Sequence, residues 1–386
     1  MGTMERILRL MAEKEASDLY LSANAPATLR INGECIPVNA QVLPFDAPRN
    51  LLAEVLTPQR MEELEEAGEL NVGFAMKDVG RFRVSAMRQR GSFAVVIRYI
   101  NSEIPKLETL NLPAILRDLV MEKRGLLLMV GATGSGKSTS LASMIDSRNE
   151  STTGHILTIE EPIEHLFRNK KSIVNQREVG VDTQSLNIAL KNALRQAPDV
   201  ILIGEIRDRD TMSAAIAYAQ SGHLCLATMH ANNSYQALNR VLSFYPAEVR
   251  PTLLGDLAAA LKAIVSQRLL RTVKGTRIPA AEVLLNTKLV ADLIARGDFG
   301  GVQEAMEKSM AEGSQTFEED IARMITHGIV DRREGLSHAD SPTNLVWRLQ
   351  NDFARAAKAA AAVAAAALAP VDDSPSFTDI TLDVKH

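Results

Sequence analysis

Gly131-Ala-Thr-Gly-Ser-Gly-Lys-Ser138 decides the fold, because of what stands on either side of it. Before it, Gly125-Leu-Leu-Leu-Met-Val130 is a short apolar run suited to a buried parallel strand, and behind it Thr139-Ser-Leu-Ala-Ser-Met-Ile145 reads as helix. Strand, glycine-rich loop and helix is the context in which G-x-x-x-x-G-K-[ST] becomes a phosphate-binding device. Glycines let successive backbone N–H groups turn toward one point at a helix N-terminus, where the dipole also favours an anion. The expected nucleotide contacts are therefore Gly131, Ala132, Thr133, Gly134, Ser135, Gly136, Lys137, Ser138 and Thr139. Lys137 is expected to reach the β- and γ-phosphates, and the Ser138 hydroxyl to ligate Mg²⁺. The motif predicts a nucleoside triphosphate site that works with Mg²⁺.

Working outward, the pattern after residue 114 alternates. Helix is expected over 114–124, 137–148, 185–195 and 210–221, with strands at 125–130, 155–159, 200–203 and 224–228. Such alternation predicts an α/β domain with a mostly parallel sheet covered by helices. Beyond about 248 the chain is expected to be mainly helical. The first 100 residues differ, with an amphipathic Arg6–Glu13 and a hairpin around Asn32-Gly33. A helix opens at Thr57-Pro58, and closely spaced strands follow at 72–76, 81–88 and 93–100. They predict a small α+β module with an antiparallel sheet. The organisation is thus 1–100, a proline-marked linker at 101–113, an α/β nucleotide-binding domain over 114–350 with a helical C-terminal part, and a tail at 351–386. In the tail, 354–369 is an Ala-rich expected helix and 370–386 an acidic segment expected to be disordered; it is either a docking element or a solvated appendage.

Three further segments carry candidate chemistry. Ile156-Leu-Thr-Ile-Glu-Glu-Pro-Ile-Glu164 is a strand ending in three carboxylates, which can orient water or hold Mg²⁺ beside a phosphate loop. Asp199-Val-Ile-Leu-Ile-Gly-Glu205 is an apolar strand ending on one acid, as a metal-holding strand does. Gly222-His-Leu-Cys-Leu-Ala-Thr-Met-His230 brackets a strand with His223 and His230, which composition alone leaves as ordinary strand-end histidines.

Bulk composition limits the alternatives. In 386 residues, 46% hydrophobic and 23% charged content fits a soluble globular protein of about two domains. A net charge of −4, one tryptophan and no stacking-rich basic strand argue against a nucleic-acid motor. No window has the character of a membrane span, and the N-terminus lacks a secretory pattern, so a cytoplasmic chain without membrane insertion is expected. Cys35 and Cys225 are far apart and are expected to be reduced thiols.

Taken in order, Gly131–Ser138, Ile159-Glu-Glu-Pro-Ile-Glu164, Leu202-Ile-Gly-Glu-Ile-Arg-Asp208 and the 222–230 histidine box resemble the secretion ATPases that power type II secretion and type IV pili. Gly80-Arg-Phe-Arg-Val-Ser85 resembles that family's PAS-like N-terminal domain. Two distant cysteines cannot make the four-cysteine zinc site of extension motors, so the resemblance is to the PilT/PilU-type retraction motors. Leu194-Arg-Gln-Ala-Pro-Asp199 and Met4–Lys14 resemble the accessory, PilU-type branch. Leu289–Asp298 keeps only the skeleton of the PilT-type retraction signature, and Glu161 stands where the acidic box commonly has Asp.

The resemblance implies a RecA-like P-loop domain in a hexameric ring, hydrolysing ATP to drive or assist pilus retraction in twitching motility. It implies Glu164 as the water-activating acid and Glu205 as the Mg²⁺-holding acid, with Lys137 and His230 also catalytic. His223 joins His230 in coupling nucleotide state to conformation. Arg81 and Arg98 are expected to reach a phosphate across an interface, with Arg83, Arg88 and Arg90 in reserve. Implied partners are other copies of the chain, a PilT paralogue and a PilC-like platform protein of the inner membrane, where the motor is peripheral at the pilus base. The competing reading is a nucleotide-gated regulatory subunit that docks on PilT and hydrolyses little itself.

Overall fold

The computed structural model of the chain describes residues 2–31, 33–100, 103–308 and 311–351. The Ala-rich segment 354–369, the acidic tail 370–386 and Asn32 of the expected hairpin turn lie outside the described residues.

In the first hundred residues the strands are β1 (Asp18–Ser22), β2 (Pro26–Ile31), β3 (Glu34–Val42), β4 (Glu69–Met76), β5 (Gly80–Gln89) and β6 (Ser92–Ile100). They form one sheet in the order β3-β2-β1-β6-β5-β4 with antiparallel neighbours throughout. Helices α1 (Thr3–Glu13), α2 (Ala47–Ala53) and α3 (Pro58–Ala67) supply Met4, Leu8, Met11, Leu52 and Leu64 to a core shared with Leu19, Phe82, Val84 and Ile97 of the sheet. Met4, Leu8 and Met11 have the spacing of one helical face. The Thr57 hydroxyl caps α3 ahead of Pro58, as the Thr-Pro pair predicts.

A seven-stranded sheet follows, built from β7 (Gly125–Val130), β8 (Gly154–Glu160), β9 (Ser172–Glu178), β10 (Val200–Ile203), β11 (Leu224–Met229), β12 (Leu261–Arg271) and β13 (Arg277–Leu285). Its order is β13-β12-β7-β11-β10-β8-β9, and the pairs from β12 through β9 are parallel. The helices around it are α4 (Ile115–Met121), α5 (Lys137–Ser151), α6 (Leu186–Ala193), α7 (Arg209–Gln220), α8 (Ser234–Ser243), α9 (Arg250–Ala260), α10 (Lys288–Arg296) and α11 (Phe299–Glu307). Strands β7, β10 and β11 are buried from end to end because helices cover both faces. Side chains alternate accordingly. Leu126, Leu128, Val130, Ile201, Ile203, Cys225 and Ala227 face the core under α6–α11, whereas Leu127, Met129, Val200, Leu202 and Leu226 face the core under α4 and α5.

Beyond 248 the described residues are mainly helical, as expected, but two unexpected strands, β12 and β13, also extend the sheet. No turn signal separates Ala258-Ala-Ala260 from the strand after it. The stop is tertiary: Asn286 Nδ2 donates to the carbonyls of Ala258 (2.8 Å) and Leu261 (2.9 Å), closing the helix end from another strand's terminus. The edge strand β9 was likewise not anticipated, its apolar residues being too few to announce a buried strand.

The chain packs as two compact units, Met1–Leu269 with Ile278–Gln315, and Leu270–Arg277 with the described residues from Thr316 on. Both sheets' cores belong to the first. In the second, a capping box between Thr316 and Glu319 opens α12 (Phe317–Thr326), Asp331 caps α13 (Arg332–His338), and Thr272 bridges to Val330. Among the described residues no helix is long and apolar enough to cross a membrane.

Candidate functional site

The C-terminal ends of β7, β8, β10 and β11 open into one cleft of about 370 Å³. Strand ends of a parallel sheet are where such folds place ligands, because the following loops converge there. Thr133, Gly134, Lys137 and Ser138 line one wall; Glu160, Glu161, Glu164, Glu205, Arg207 and His230 line the other; Leu141, Ala142, Phe167 and Leu186 supply apolar surface, and His165 also lines the cleft. Thr139 already lies in α5 and does not line the cleft.

On the loop wall, Gly136 is the N-cap of α5 at φ +91°, a left-handed position that a side chain would strain. Lys137 follows it and is 9% exposed. Its Nζ donates to the carbonyl oxygens of Gly131 (2.8 Å) and Ala132 (2.9 Å). Burial pulls the Lys137 ammonium below its ordinary pKa, and the charges of Glu205 and Glu164 oppose that shift. The lysine therefore senses the opposite wall.

On the acid wall, the chain bends at Gly204 as it leaves β10. Ile206 is fully buried, so Glu205 and Arg207 on either side of it point together into the cleft. Glu205 Oε1 lies 3.0 Å from His230 Nε2 and its Oε2 accepts from Arg207 Nε at 2.9 Å. Arg207 also reaches Glu161 Oε2 at 3.1 Å, so one guanidinium bridges two carboxylates. Asp208 then caps α7 through a capping box with Thr211 and fixes where the stretch ends. Sequence reasoning missed Arg207; its signal was its place two residues beyond Glu205 in the same motif.

The three acids of 160–164 are not equivalent. The Glu160 carboxylate accepts from Thr158 Oγ1 (2.6 Å) and Gln176 Nε2 (3.2 Å), and burial pushes its pKa up against those donors. Glu161 is held by Arg207. Among the described residues no side chain pairs with the Glu164 carboxylate, which lines the cleft. Next to it, burial lowers the pKa of His165, and its Nδ1 has no partner among the described residues.

His223, Arg81 and Arg98 are not brought to this cleft. His223 precedes β11 while His230 follows it, so the strand's full length separates them, and His223 Nδ1 meets Ser221 Oγ at 3.1 Å. Arg81 pairs with the buried Glu178 at the end of β9, whose Oε2 also accepts from the Ile163 N–H at 3.2 Å. Arg98 pairs with the buried Asp18 at 2.9 Å. Each arginine answers a buried carboxylate that would otherwise stand uncompensated. Arg88 donates to the Glu65 carbonyl and lies over the Phe93 ring.

Phosphate loop, strand-end acids and parallel order together define a RecA-like P-loop protein preceded by an antiparallel α+β module. Residues 5–334 match the family described as Type II/IV secretion system protein. The chain is 47% identical to the type IV pilus ATPase PilU of Pseudomonas aeruginosa, over 88% of this chain and 90% of that protein. It is 34% identical to the retraction ATPase PilT of the same organism, over 88% of this chain and 98% of PilT. The crystal structure of the pilus retraction motor PilT with bound ADP superposes with a TM-score of 0.83 at 36% identity, covering 89% of this chain and 98% of that one. The chain belongs to the type II/IV secretion system protein family.

Proposed function

We propose that this chain is a Mg²⁺-dependent ATPase that powers or assists type IV pilus retraction, working as a hexameric ring at the cytoplasmic face of the inner membrane. The observation that carries this reading is the placement of Lys137 and Ser138 opposite Glu164 and Glu205 in one cleft at the strand ends. Similarity to PilU and PilT supports the pilus side of it. The donor set suits the ligands. Among the described residues no group of three or more His, Cys, Asp or Glu forms a cation cage. A hard cation here would take Ser138 and Glu205 together with phosphate oxygens and water, the mixture Mg²⁺ accepts.

When bound, Mg²⁺ neutralises charge on the phosphates. The chain's residues do the rest by positioning and electrostatics. Lys137 Nζ exchanges the carbonyls of Gly131 and Ala132 for β- and γ-phosphate oxygens, with the 131–139 backbone as the cradle. Glu164, which has no side-chain partner among the described residues, orients the attacking water. His230, tied to Glu205, follows the state of that acid; His223 at the far end of the same strand relays it. Arg81 and Arg98 act on a phosphate only at an interface between copies, after giving up Glu178 and Asp18. Residues 103–113 of the linker serve as the hinge between the module before it and the domain after it, and the motion is delivered to a PilC-like platform protein, with a PilT-type paralogue as co-worker.

The test is steady-state ATP hydrolysis with Mg²⁺ by the full chain and by Glu164→Gln. Turnover is expected in the wild type and is expected to fall about 100-fold in the variant, as removal of a general base does, with ADP affinity retained. Undiminished turnover in the variant would move the water-orienting role elsewhere. Tight ATP binding without turnover in the wild type would make the chain a regulatory subunit.

A further inference from the structure

The phosphate loop has an anchor outside its own motif. Gln267 lies on β12, which pairs with β7, the strand that feeds the loop. Its side chain is 2% exposed and does not line the cleft. Gln267 Nε2 donates to the Ser135 carbonyl at 2.8 Å, and Gln267 Oε1 accepts from Ser140 Oγ at 2.8 Å. One carboxamide thus spans from the end of the loop to the first turn of α5. The fit is close on the loop side. A Cβ at Gly136 would stand 2.7 Å from Gln267 Nε2, and one at Gly131 would stand 2.5 Å from the Gln267 backbone oxygen. These two glycines give β12 room to lie against the loop, a demand separate from phosphate approach.

We propose that Gln267 is a positioning residue for the nucleotide: it holds the Ser135–Gly136 backbone in its anion-binding shape before phosphate arrives. The inference rests on the reading of the cleft as an ATP site. A carboxamide is the group the geometry needs, because it offers a donor and an acceptor at once and carries no charge near phosphate. Glutamate would keep the acceptor, lose the donor and face the Ser135 carbonyl with negative charge. Leucine would leave the Ser135 carbonyl and the Ser140 hydroxyl without this partner. A released loop populates its competent shape only part of the time, and apparent affinity falls by that fraction. Bound phosphate restores the shape, so turnover at saturation survives. The signature is a rise in KM with kcat largely kept.

The experiment measures KM and kcat for MgATP, the Kd of ADP by calorimetry, and Tm, on the full chain and its variants. Gln267→Leu is expected to raise KM and the ADP Kd about tenfold with kcat within about threefold of wild type, and Gln267→Glu to raise them further. Ser140→Ala, a small change on α5, is expected to raise KM about twofold to threefold and to add nothing on top of Gln267→Leu, because both break the same span. KM and Kd unchanged within twofold in Gln267→Leu would overturn the proposal. So would a loss confined to Tm and active fraction, which is what a purely structural glutamine would give. Should Gln267→Leu fail to fold, Ser140→Ala decides alone, and an unchanged KM there overturns the anchor. Absence of ATP and ADP binding in the wild type sinks the ATP-site reading, and this inference with it, before any variant is compared.

Discussion

The two walls of the cleft are built by different means. The loop wall is fixed by buried contacts: Lys137 is 9% exposed and bonded to loop carbonyls, and the backbone behind it is held by β12. The bridging pair of the acid wall lies in solvent, with Arg207 54% and Glu161 55% exposed. Exposed ion pairs are worth only about 0–1 kcal/mol, so they exchange partners readily. Buried hydrogen bonds are more costly to leave unmade, about 1–3 kcal/mol each. The contrast suits a site in which one wall must hold phosphate in a fixed frame while the other changes its charge pairing as nucleotide and cation come and go.

Breaking the loop wall should give the largest effect. Lys137→Ala is expected to lower kcat/KM for ATP about 10²–10³-fold, the range for removing a preorganised charge-stabilising group. Near-normal hydrolysis by that variant would remove the loop wall from the chemistry altogether.

The acid wall should respond more gently at its bridging arginine. Arg207 competes with a cation for Glu205, and the hydrogen bond to Glu205 is the leading cause of its raised pKa. Arg207→Gln is therefore expected to lower the Mg²⁺ concentration for half-maximal turnover by about twofold to fivefold, the equivalent of a pair worth about 0.4–1 kcal/mol. The shift should shrink at high salt. A rise in that concentration would mean that Arg207 aligns Glu205 for the cation instead of competing with it.

The smallest effect concerns stability. Burial raises the Glu160 pKa in the folded chain, so between the ordinary carboxylate value and the raised one the folded state binds more protons than the unfolded state. Stability from this group is therefore present at acid pH and lost as pH rises through that window. Glu160→Gln, which cannot ionise, should have the higher Tm at neutral pH, with the difference vanishing below the unfolded-state pKa. A variant less stable at neutral pH would show that the donors from Thr158 and Gln176 outweigh burial.

Much of the fold is legible in the sequence. The strand, loop and helix around Gly131–Ser138 follow from local pattern, since buried parallel strands must be apolar throughout and a phosphate cradle must be glycine-rich. The antiparallel strands of the first hundred residues were also marked by their own alternation and turns. Strand β12 was missed because its apolar run continues an alanine-rich helix, and the stop between them is the side chain of Asn286. Arg81 carried a plausible phosphate role, but only the fold reveals the buried Glu178 that holds it, 97 residues away in sequence.

The sequence by itself determined the α/β order, the phosphate loop and the candidate acids at the strand ends, because each is written within a single strand-and-turn. Only the tertiary structure decided which acids face the cleft, that Arg207 bridges two of them, and that Gln267 anchors the loop from 132 residues away. Those decisions depend on side chains that meet only after the sheet has assembled, and periodicity along the chain has no record of such meetings.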